Sequence, residues 1–372
     1  MKTTKHLQDY KPNFDLSDFG EIKDILFLDI ETTGLSPQSS YIYMIGAAYY
    51  TGSTIMGDGG FVISQWMCEN AAEEKEMLES FIEILSKYSI LMHFNGNTFD
   101  IPFILERCKA NNLAIDISSK TGIDIYRRIS PYKHMLKLSS CKQKAIEEFL
   151  QIYREDEFSG GDLINVYKEY QKDHDLHKLK LLTTHNYEDI KGMLDILPIF
   201  AYIDMFNGEV TLKNAAIDTY KDVDGILSKE LKLTLSLKHP LIRPISCNCN
   251  NCYLSAKDSV VIIKVPVYTE EMKYFYDNYK DYYYLPTEDM AIHKSVSVYV
   301  DKDFREQAKA STCYTRKTSD YLPQWSLIIE PFFKRDYNSK LLFFEVCDDF
   351  KKSFDTLELY SKHILEMMVR NI

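Results

Sequence analysis

The chain has 372 residues, of which 45% are apolar and 27% charged, as is typical of a soluble protein with two or three domains. Its net charge of −11 argues against a protein that coats nucleic acid in general, because such proteins are usually basic. This charge does not exclude an enzyme that holds one strand end through bound metal and a local basic patch.

The N-terminal segment from Met1 to Phe14 is polar and lacks the apolar stretch that a signal peptide needs. No stretch of the sequence approaches the length of a membrane-spanning helix. We therefore expect a cytoplasmic protein without a membrane partner. In that compartment its eight cysteines are expected to be reduced thiols.

Apolar periodicity and turn residues predict an α/β layer domain in the first part of the chain, with helices against a mixed sheet. The predicted strands are residues 25–31, 41–50, 55–64 and 90–94. The predicted helices are residues 72–88, 101–111, 139–150, 160–172 and 186–206. We assign this domain to residues 1–212.

The pattern changes from about residue 215 onward. Short β-rich runs at residues 259–265 and 294–300 alternate with tyrosine-rich, helix-like pieces, and a closing helix is predicted from about Lys352 to Val369. These features predict a second, α+β domain over residues 213–372, to which the sequence assigns no role.

Two acids stand at the far end of the first predicted strand, Asp29 and Glu31. Side chains alternate faces along a strand, so these two project together. Adjacent carboxylates repel each other unless a cation lies between them, and hard oxygen ligands suit Mg²⁺ or Mn²⁺. The pair therefore indicates either a metal site or a solvated strand edge.

Two further acids arrive later in the chain and favour the metal site. Asp100 lies at a predicted strand-to-helix junction, at the position of an N-cap. Asp189 lies on a predicted helix, and His185 precedes it by one helical turn, so the two share a face.

Three segments of the chain resemble the motifs of a known superfamily. Asp29-Ile30-Glu31-Thr32-Thr33-Gly34-Leu35, then Asn95 through Phe99-Asp100, and then His185 to Asp189 are similar to the three motifs of the DEDD 3′–5′ exonucleases. The match is closest to the bacterial YprB-like branch, whose third motif also reads His-Asn-x-x-Asp. The resemblance covers roughly residues 20–205 and implies a ribonuclease H-like fold.

The resemblance implies two divalent cations, Mg²⁺ or Mn²⁺, held by four carboxylates. By the family pattern Asp29 bridges both ions, and each of the other acids holds one or the other: Glu31, Asp100 and Asp189. One ion would activate a water and the other would stabilise the leaving 3′-oxygen. Without metal, about four negative charges in one cleft would be costly to hold together.

The resemblance also implies contacts with the 3′-terminal nucleotide and a general base. The substrate-binding residues would be Thr32, Thr33, Gly34 and Leu35, with Asn95 and Phe99 in support. Gly34 allows close backbone approach, and Leu35 could wedge against the last base. His185 would orient or deprotonate the attacking water, since imidazole titrates near working pH.

His185 departs from the family spacing. These exonucleases usually have a tyrosine with three intervening residues before the last aspartate, or a histidine with four. This chain has a histidine at the tyrosine's spacing. The alternative is an exposed helix histidine without a role in the site.

The sequence as a whole predicts a metal-dependent 3′–5′ exonuclease that hydrolyses phosphodiester bonds at single-stranded DNA or RNA ends. The alternative is a catalytically weak module that has kept the fold and binds nucleic acid or a protein partner. Nothing in the sequence separates DNA from RNA, because recognition of the 2′-hydroxyl depends on a few contacts.

Other features are open to two interpretations. A basic cluster, Arg127, Arg128, Lys133, His134, Lys137, Lys142 and Lys144, is either a solvated face or a substrate contact, and we slightly favour the first. Asp124 could line the cleft, but a turn or cap role is favoured.

The second domain has two such features. Cys247, Cys249 and Cys252 could bind zinc or an iron–sulfur cluster, although reduced, unliganded cysteines are favoured. The tyrosine-rich run at residues 274–284 could stack on bases, although packing is favoured.

Overall fold

The computed structural model describes residues 1–8, 14–52, 59–154, 160–221 and 225–370. The chain divides into two compact units, Met1–Ile203 and Asp204–Ile372, whereas the sequence prediction placed the division after residue 212. Within the described ranges, every helix is too short or too polar to cross a membrane.

A mixed sheet lies at the centre of the first unit. Its strands are β1 (Lys2–Gln8), β2 (Ile25–Thr32), β3 (Ile42–Thr51), β4 (Gly60–Met67), β5 (Ile90–His93) and β6 (Thr121–Asp124), in the order β1-β4-β3-β2-β5-β6. β5 pairs in parallel with β2 and β6, and the other pairs are antiparallel. The predicted mixed sheet is confirmed.

Helices cover both faces of this sheet. They are α1 (Glu74–Leu85), α2 (Asp100–Ala110), α3 (Ile125–Ile129), α4 (Lys133–Leu136), α5 (Gln143–Phe149), α6 (Gly160–Asp173), α7 (Leu176–Asp195) and α8 (Phe200–Phe206). One buried cluster joins Leu28 of β2 to Phe81 of α1 and Phe103 of α2. Another joins Tyr43 of β3 to Tyr167 of α6 and Leu182 of α7.

The helix predicted over residues 186–206 differs from the structure at both ends. α7 begins ten residues earlier, because the Asp175 carboxylate accepts hydrogen bonds from the backbone N–H groups of His177 (2.6 Å) and Lys178 (3.3 Å). It ends at Asp195, before a 3₁₀ turn that contains Pro198, since proline has no N–H to continue the helix. His185 therefore lies inside the helix.

Other boundaries in the first unit also shift. β4 begins at Gly60, and the part of the predicted 55–64 strand before Gly59 lies outside the described residues. β1 was not predicted, because its sequence is mostly polar and it pairs at an edge, with β4 alone. The predicted helix 139–150 shortens to α5.

The described part of the second unit consists mainly of antiparallel sheets, with the end of α8 and two further helices. The strands are β7 (Val210–Lys221), β8 (Leu227–Cys249), β9 (Cys252–Phe275), β10 (Tyr282–Leu285), β11 (Met290–His293), β12 (Glu306–Gln307), β13 (Tyr314–Gln324), β14 (Phe332–Phe333) and β15 (Leu342–Glu345). They form sheets in the orders β14-β15-β13-β9-β8-β7 and β11-β10-β12. The helices are α9 (Asp348–Lys352) and α10 (Phe354–Arg370), so a second, α+β unit is confirmed.

Two predictions in this unit are wrong. The predicted strand 294–300 is a turn and a 3₁₀ helix, because the Ser297 hydroxyl and N–H both donate to the Lys294 carbonyl and close the backbone locally. The tyrosine-rich run lies in β9, a 3₁₀ turn and β10 instead of a helix. The 259–265 strand is confirmed as part of β9.

Candidate active site

Asp29 and Glu31 lie near the end of β2, which pairs with β3 on one side and β5 on the other. Glu31 is 8% exposed, and Asp29 is partly exposed. Both side chains point toward α7, as strand alternation predicts. β2, a central strand of the sheet, therefore presents two carboxylates to α7.

α7 supplies the next two groups. Nε2 of His185 lies 3.2 Å from Oδ2 of Asp189 and 3.5 Å from Oε1 of Glu31. His185 is 4% exposed, which contradicts the alternative of an exposed helix histidine. Among the described residues, the potential ligand atoms of Glu31, His185 and Asp189 all lie within 4.8 Å of one another.

Asp100 is the first residue of α2, and Phe99 occupies the N-cap position. The predicted N-cap role is therefore wrong by one residue. Oδ1 of Asp100 accepts a hydrogen bond of 3.3 Å from the backbone N–H of Ile30, the residue between the two acids of β2. This contact ties the start of α2 to the acidic end of β2.

The acids perturb one another. Removal from water, followed by repulsion from Asp189, Asp100 and Glu31, raises the pKa of the Asp29 carboxyl well above its ordinary value. Burial also raises the pKa of Asp100 to about 7, although the N–H of Ile30 opposes that shift. Like charges thus converge at the end of β2.

The pKa of Asp100 leads to a stability prediction for the metal-free protein. Because the folded pKa is raised, the folded state holds its proton more tightly than the unfolded state. Stability from this group is present below its ordinary pKa of 3.8 and is lost as the pH rises toward about 7. In the Asp100→Asn variant this loss is absent, because an amide does not ionise in this pH range. Its oxygen can still accept the hydrogen bond from the N–H of Ile30.

We therefore expect the melting temperature of Asp100→Asn, relative to the parent, to increase between pH 5 and pH 8. Thermal unfolding in the presence of a chelator measures the difference, which cancels the titration of groups that do not interact with Asp100. A constant or decreasing difference would contradict the raised pKa.

The acids open into a cleft of about 470 Å³. Its lining includes four of the predicted catalytic residues and three of the predicted substrate residues: Asp29, Glu31, His185, Asp189, Thr32, Leu35 and Phe99. Asp100 does not line it, although its charge acts on Asp29. Lys142 and Lys144 also line it, so part of the basic cluster faces the acids.

Among the described residues, the lining of the cleft does not include the remaining predicted substrate residues, Thr33, Gly34 and Asn95. Thr33 and Gly34 form the turn after β2, where a side chain on Gly34 would come within 2.5 Å of Oγ of Ser40. Asn95 has a positive φ of 61°, and its N–H donates to Asp124 (2.9 Å). Asn95 thus supports the loop that precedes Asp100.

Asp124 has the favoured cap role. Its carboxylate accepts from the N–H of Arg127 at the start of α3, and also from those of Asn95 and Asn97. The prediction of a cap is confirmed, and the same group holds the loop before α2.

Three residues that the sequence prediction missed position the acids. Nδ2 of Asn186 donates to Oδ2 of Asp29 (2.9 Å), and Nε2 of Gln65 donates to Oδ1 of Asn186 (3.0 Å). Gly46 lies opposite Asp29 in the β2–β3 pair, where α7 comes close to the sheet. The small run Gly46-Ala47-Ala48 in a strand of bulky residues was an available signal for this close approach.

The structure also bears on two features of the second unit. Cys249 of β8 and Cys252 of β9 are opposite each other in the sheet, across the turn at Asn250-Asn251. In the described residues, Cys247, Cys249 and Cys252 do not form a group with metal-ligand spacing. Tyr276 stacks on Tyr282 with ring centroids 4.5 Å apart, so these tyrosines pack as favoured.

The donor set fits divalent cations. Carboxylate oxygens and one imidazole converge, and burial together with repulsion from three other acids raises the pKa of Asp29. Cations would supply the missing positive charge and would place hard ligands on a hard ion.

Residues 26–199 match the model of the RNase_H superfamily. With the mixed sheet and its flanking helices, this match shows that the first unit has a ribonuclease H-like fold, as the sequence resemblance implied.

Solved structures similar to the chain include two nucleic-acid enzymes. The family B DNA polymerase from the hyperthermophilic archaeon Pyrobaculum calidifontis is 14% identical with a TM-score of 0.37, over 50% of this chain and 25% of that chain. The zinc-bound E. coli ExoI–ssDNA complex is 12% identical with a TM-score of 0.30, over 59% of this chain and 55% of that chain. The chain thus spans 25% of the length of the polymerase and 55% of the length of ExoI. No curated protein matches it.

Proposed function

We propose that this protein is a metal-dependent 3′–5′ exonuclease of the DEDD type, similar to the YprB-like branch, that acts on single-stranded DNA or RNA ends. The ribonuclease H-like fold supports a nuclease in general terms. The observation that carries the proposal is the meeting of acids from β2 and α7 with a buried histidine at one cleft, while Asp100 of α2 binds the backbone between the two acids of β2.

Two divalent cations, Mg²⁺ or Mn²⁺, would be held by Asp29, Glu31, Asp100 and Asp189. When bound, they lower the pKa of a water and stabilise the leaving 3′-oxygen. His185 lines the cleft with its Nε2 beside Glu31 and Asp189, where it can take the proton of the attacking water. Asn186 and Gln65 hold Asp29 in place.

Other side chains of the cleft suit a strand end. Leu35 is 83% exposed although it is apolar, so it can contact the last base. Phe99 and Thr32 also line the cleft, and Thr33, Gly34 and Asn95 would add further contacts with the terminal nucleotide. Lys142 and Lys144 line the same cleft and can pair with phosphates further along the strand.

A panel of single-stranded DNA and RNA, labelled at the 3′ or the 5′ end and incubated with Mg²⁺ or Mn²⁺, tests the proposal. We expect the 3′ label to be released at once as a mononucleotide, and the 5′ label to pass through a ladder of shortening products. Release of the 5′ label first, or internal cuts alone, would contradict the proposal. Binding of a strand without turnover under all conditions would indicate the binding module instead.

A further inference from the structure

A buried arginine contacts one of the predicted metal ligands. Arg154 follows α5, and its side chain is 8% exposed. Nη1 of its guanidinium donates to Oδ1 of Asp189. Nε and Nη2 donate to the two carboxylate oxygens of Glu147. No local pattern in the sequence indicates this contact, because Arg154 lies outside any helix or strand.

Glu147 and Gln143, both on α5, complete the arrangement. The Glu147 side chain is 2% exposed and accepts a hydrogen bond of 3.0 Å from Nε2 of Gln143. The same amide nitrogen donates to the main-chain carbonyl of Asp189 (2.9 Å). α5 and Arg154 therefore hold both the backbone and the carboxylate of Asp189.

Gly192 allows the cluster to lie directly on α7. It follows Asp189 by three residues, so it lies on the same side of the helix. A Cβ at this position would lie 2.2 Å from Oε1 of Glu147 and 2.6 Å from Nε2 of Gln143. Any side chain here would force the cluster away from the helix.

The two oxygens of Asp189 have separate partners. Oδ1 faces Arg154, while Oδ2 lies 3.2 Å from Nε2 of His185. Among the residues that the structure describes, Asp189 and His185 line the cleft and Arg154 does not. The guanidinium thus contacts Asp189 from behind and leaves Oδ2 on the side of the cleft.

We propose that Arg154, anchored by Glu147, is a positioning residue that orients the Asp189 carboxylate for a divalent cation. This inference rests on the proposed function, because it assumes that Asp189 is a metal ligand. A planar guanidinium held by two hydrogen bonds to Glu147 has little freedom, so it fixes the carboxylate in one orientation. Its charge also offsets repulsion between Asp189 and the other acids.

The inference is tested by Mn²⁺ binding without substrate, measured as the rise of the melting temperature with Mn²⁺ concentration. Groups that orient metal ligands typically change metal affinity by about 10- to 100-fold. We expect Arg154→Gln to weaken Mn²⁺ binding by that factor, and excess Mn²⁺ to restore part of kcat. Arg154→Lys and Glu147→Gln should show smaller losses, and they serve if Arg154→Gln does not fold.

Arg107 offers a matched control. It forms a similar two-pronged pair with buried Glu74, supported by the Asn111 amide, and in the described part of the chain it contacts none of the four acids. We expect Arg107→Gln to lower the melting temperature without changing Mn²⁺ affinity.

Three results would overturn the inference. Unchanged Mn²⁺ affinity in the Arg154 and Glu147 variants would show a structural role only. Tighter binding in Arg154→Gln would show that the guanidinium competes with the cation. If the parent itself did not bind Mn²⁺, the inference and the proposed metal site would both fail. If the parent bound Mn²⁺ but digested no strand, only the proposed function would be refuted. The comparison of Mn²⁺ affinity between the parent and the Arg154 variants would still test the role of Arg154.

Discussion

Substitution of Asp29 by asparagine is expected to lower exonuclease activity by about a thousandfold or more, while the metal-free protein stays at least as stable as the parent. Burial, and then repulsion from three other carboxylates, raises the pKa of Asp29 well above its ordinary value. Asparagine has the same shape and can still accept from Asn186, but it carries no charge for a cation to bind. Loss of activity and relief of repulsion should therefore occur together.

Digestion of a labelled strand with Mn²⁺ measures the first effect, and thermal unfolding in a chelator at pH 8 measures the second. Asp195→Asn is a matched control, because Asp195 ends the same helix and pairs with Lys191 outside the cleft. We expect this control to digest the strand at the parental rate. Parental activity in Asp29→Asn would show that the assigned site is wrong, and a lower melting temperature in chelator would contradict the repulsion between the acids.

Replacement of Gly46 by alanine should damage both the fold and the site. The new Cβ would lie 2.3 Å from Oδ1 of Asn186 and 2.8 Å from Cγ1 of Ile190, both on α7. Because the central strand and a packed helix cannot both stay in place, we expect the free energy of unfolding to fall by about 1–3 kcal/mol. The helix that carries His185 and Asp189 would shift away from Asp29, so Mn²⁺ affinity and activity should fall as well.

Urea unfolding and the Mn²⁺-dependent rise in melting temperature measure these two effects. Gly52→Ala is the control, since a Cβ on Gly52, just after β3, would meet nothing within 4 Å. If Gly46→Ala matched Gly52→Ala in stability and in Mn²⁺ affinity, the close approach of α7 to β3 would not be what positions the acids.

The part of the site that the sequence predicted correctly follows from local patterns. Asp29 and Glu31 share a face because strand side chains alternate, and His185 and Asp189 share a face because they are one helical turn apart. Each inference needs a few neighbouring residues and the geometry of one element. The same reasoning predicted the mixed sheet and its helices, which the structure confirms.

Predictions failed where a local contact or a neighbouring element outweighed the pattern. Alternating valines at residues 294–300 are typical of a strand, yet hydrogen bonds from Ser297 to the Lys294 carbonyl form a turn. Asp100 has a residue type common at caps, but its carboxylate turns back to the N–H of Ile30 on another element. In each case the deciding partner is not visible in the residue's own periodicity.

The sequence by itself determined which acids are present and which pairs of them face the same way. Only the tertiary structure decided that β3 and α7 meet at Gly46, that Asn186 binds Asp29, and that Arg154 contacts Asp189 from behind. The physical reason is the distance along the chain over which each effect acts. Backbone geometry sets the directions of neighbouring side chains, whereas packing between elements sets the distances between residues far apart in the chain.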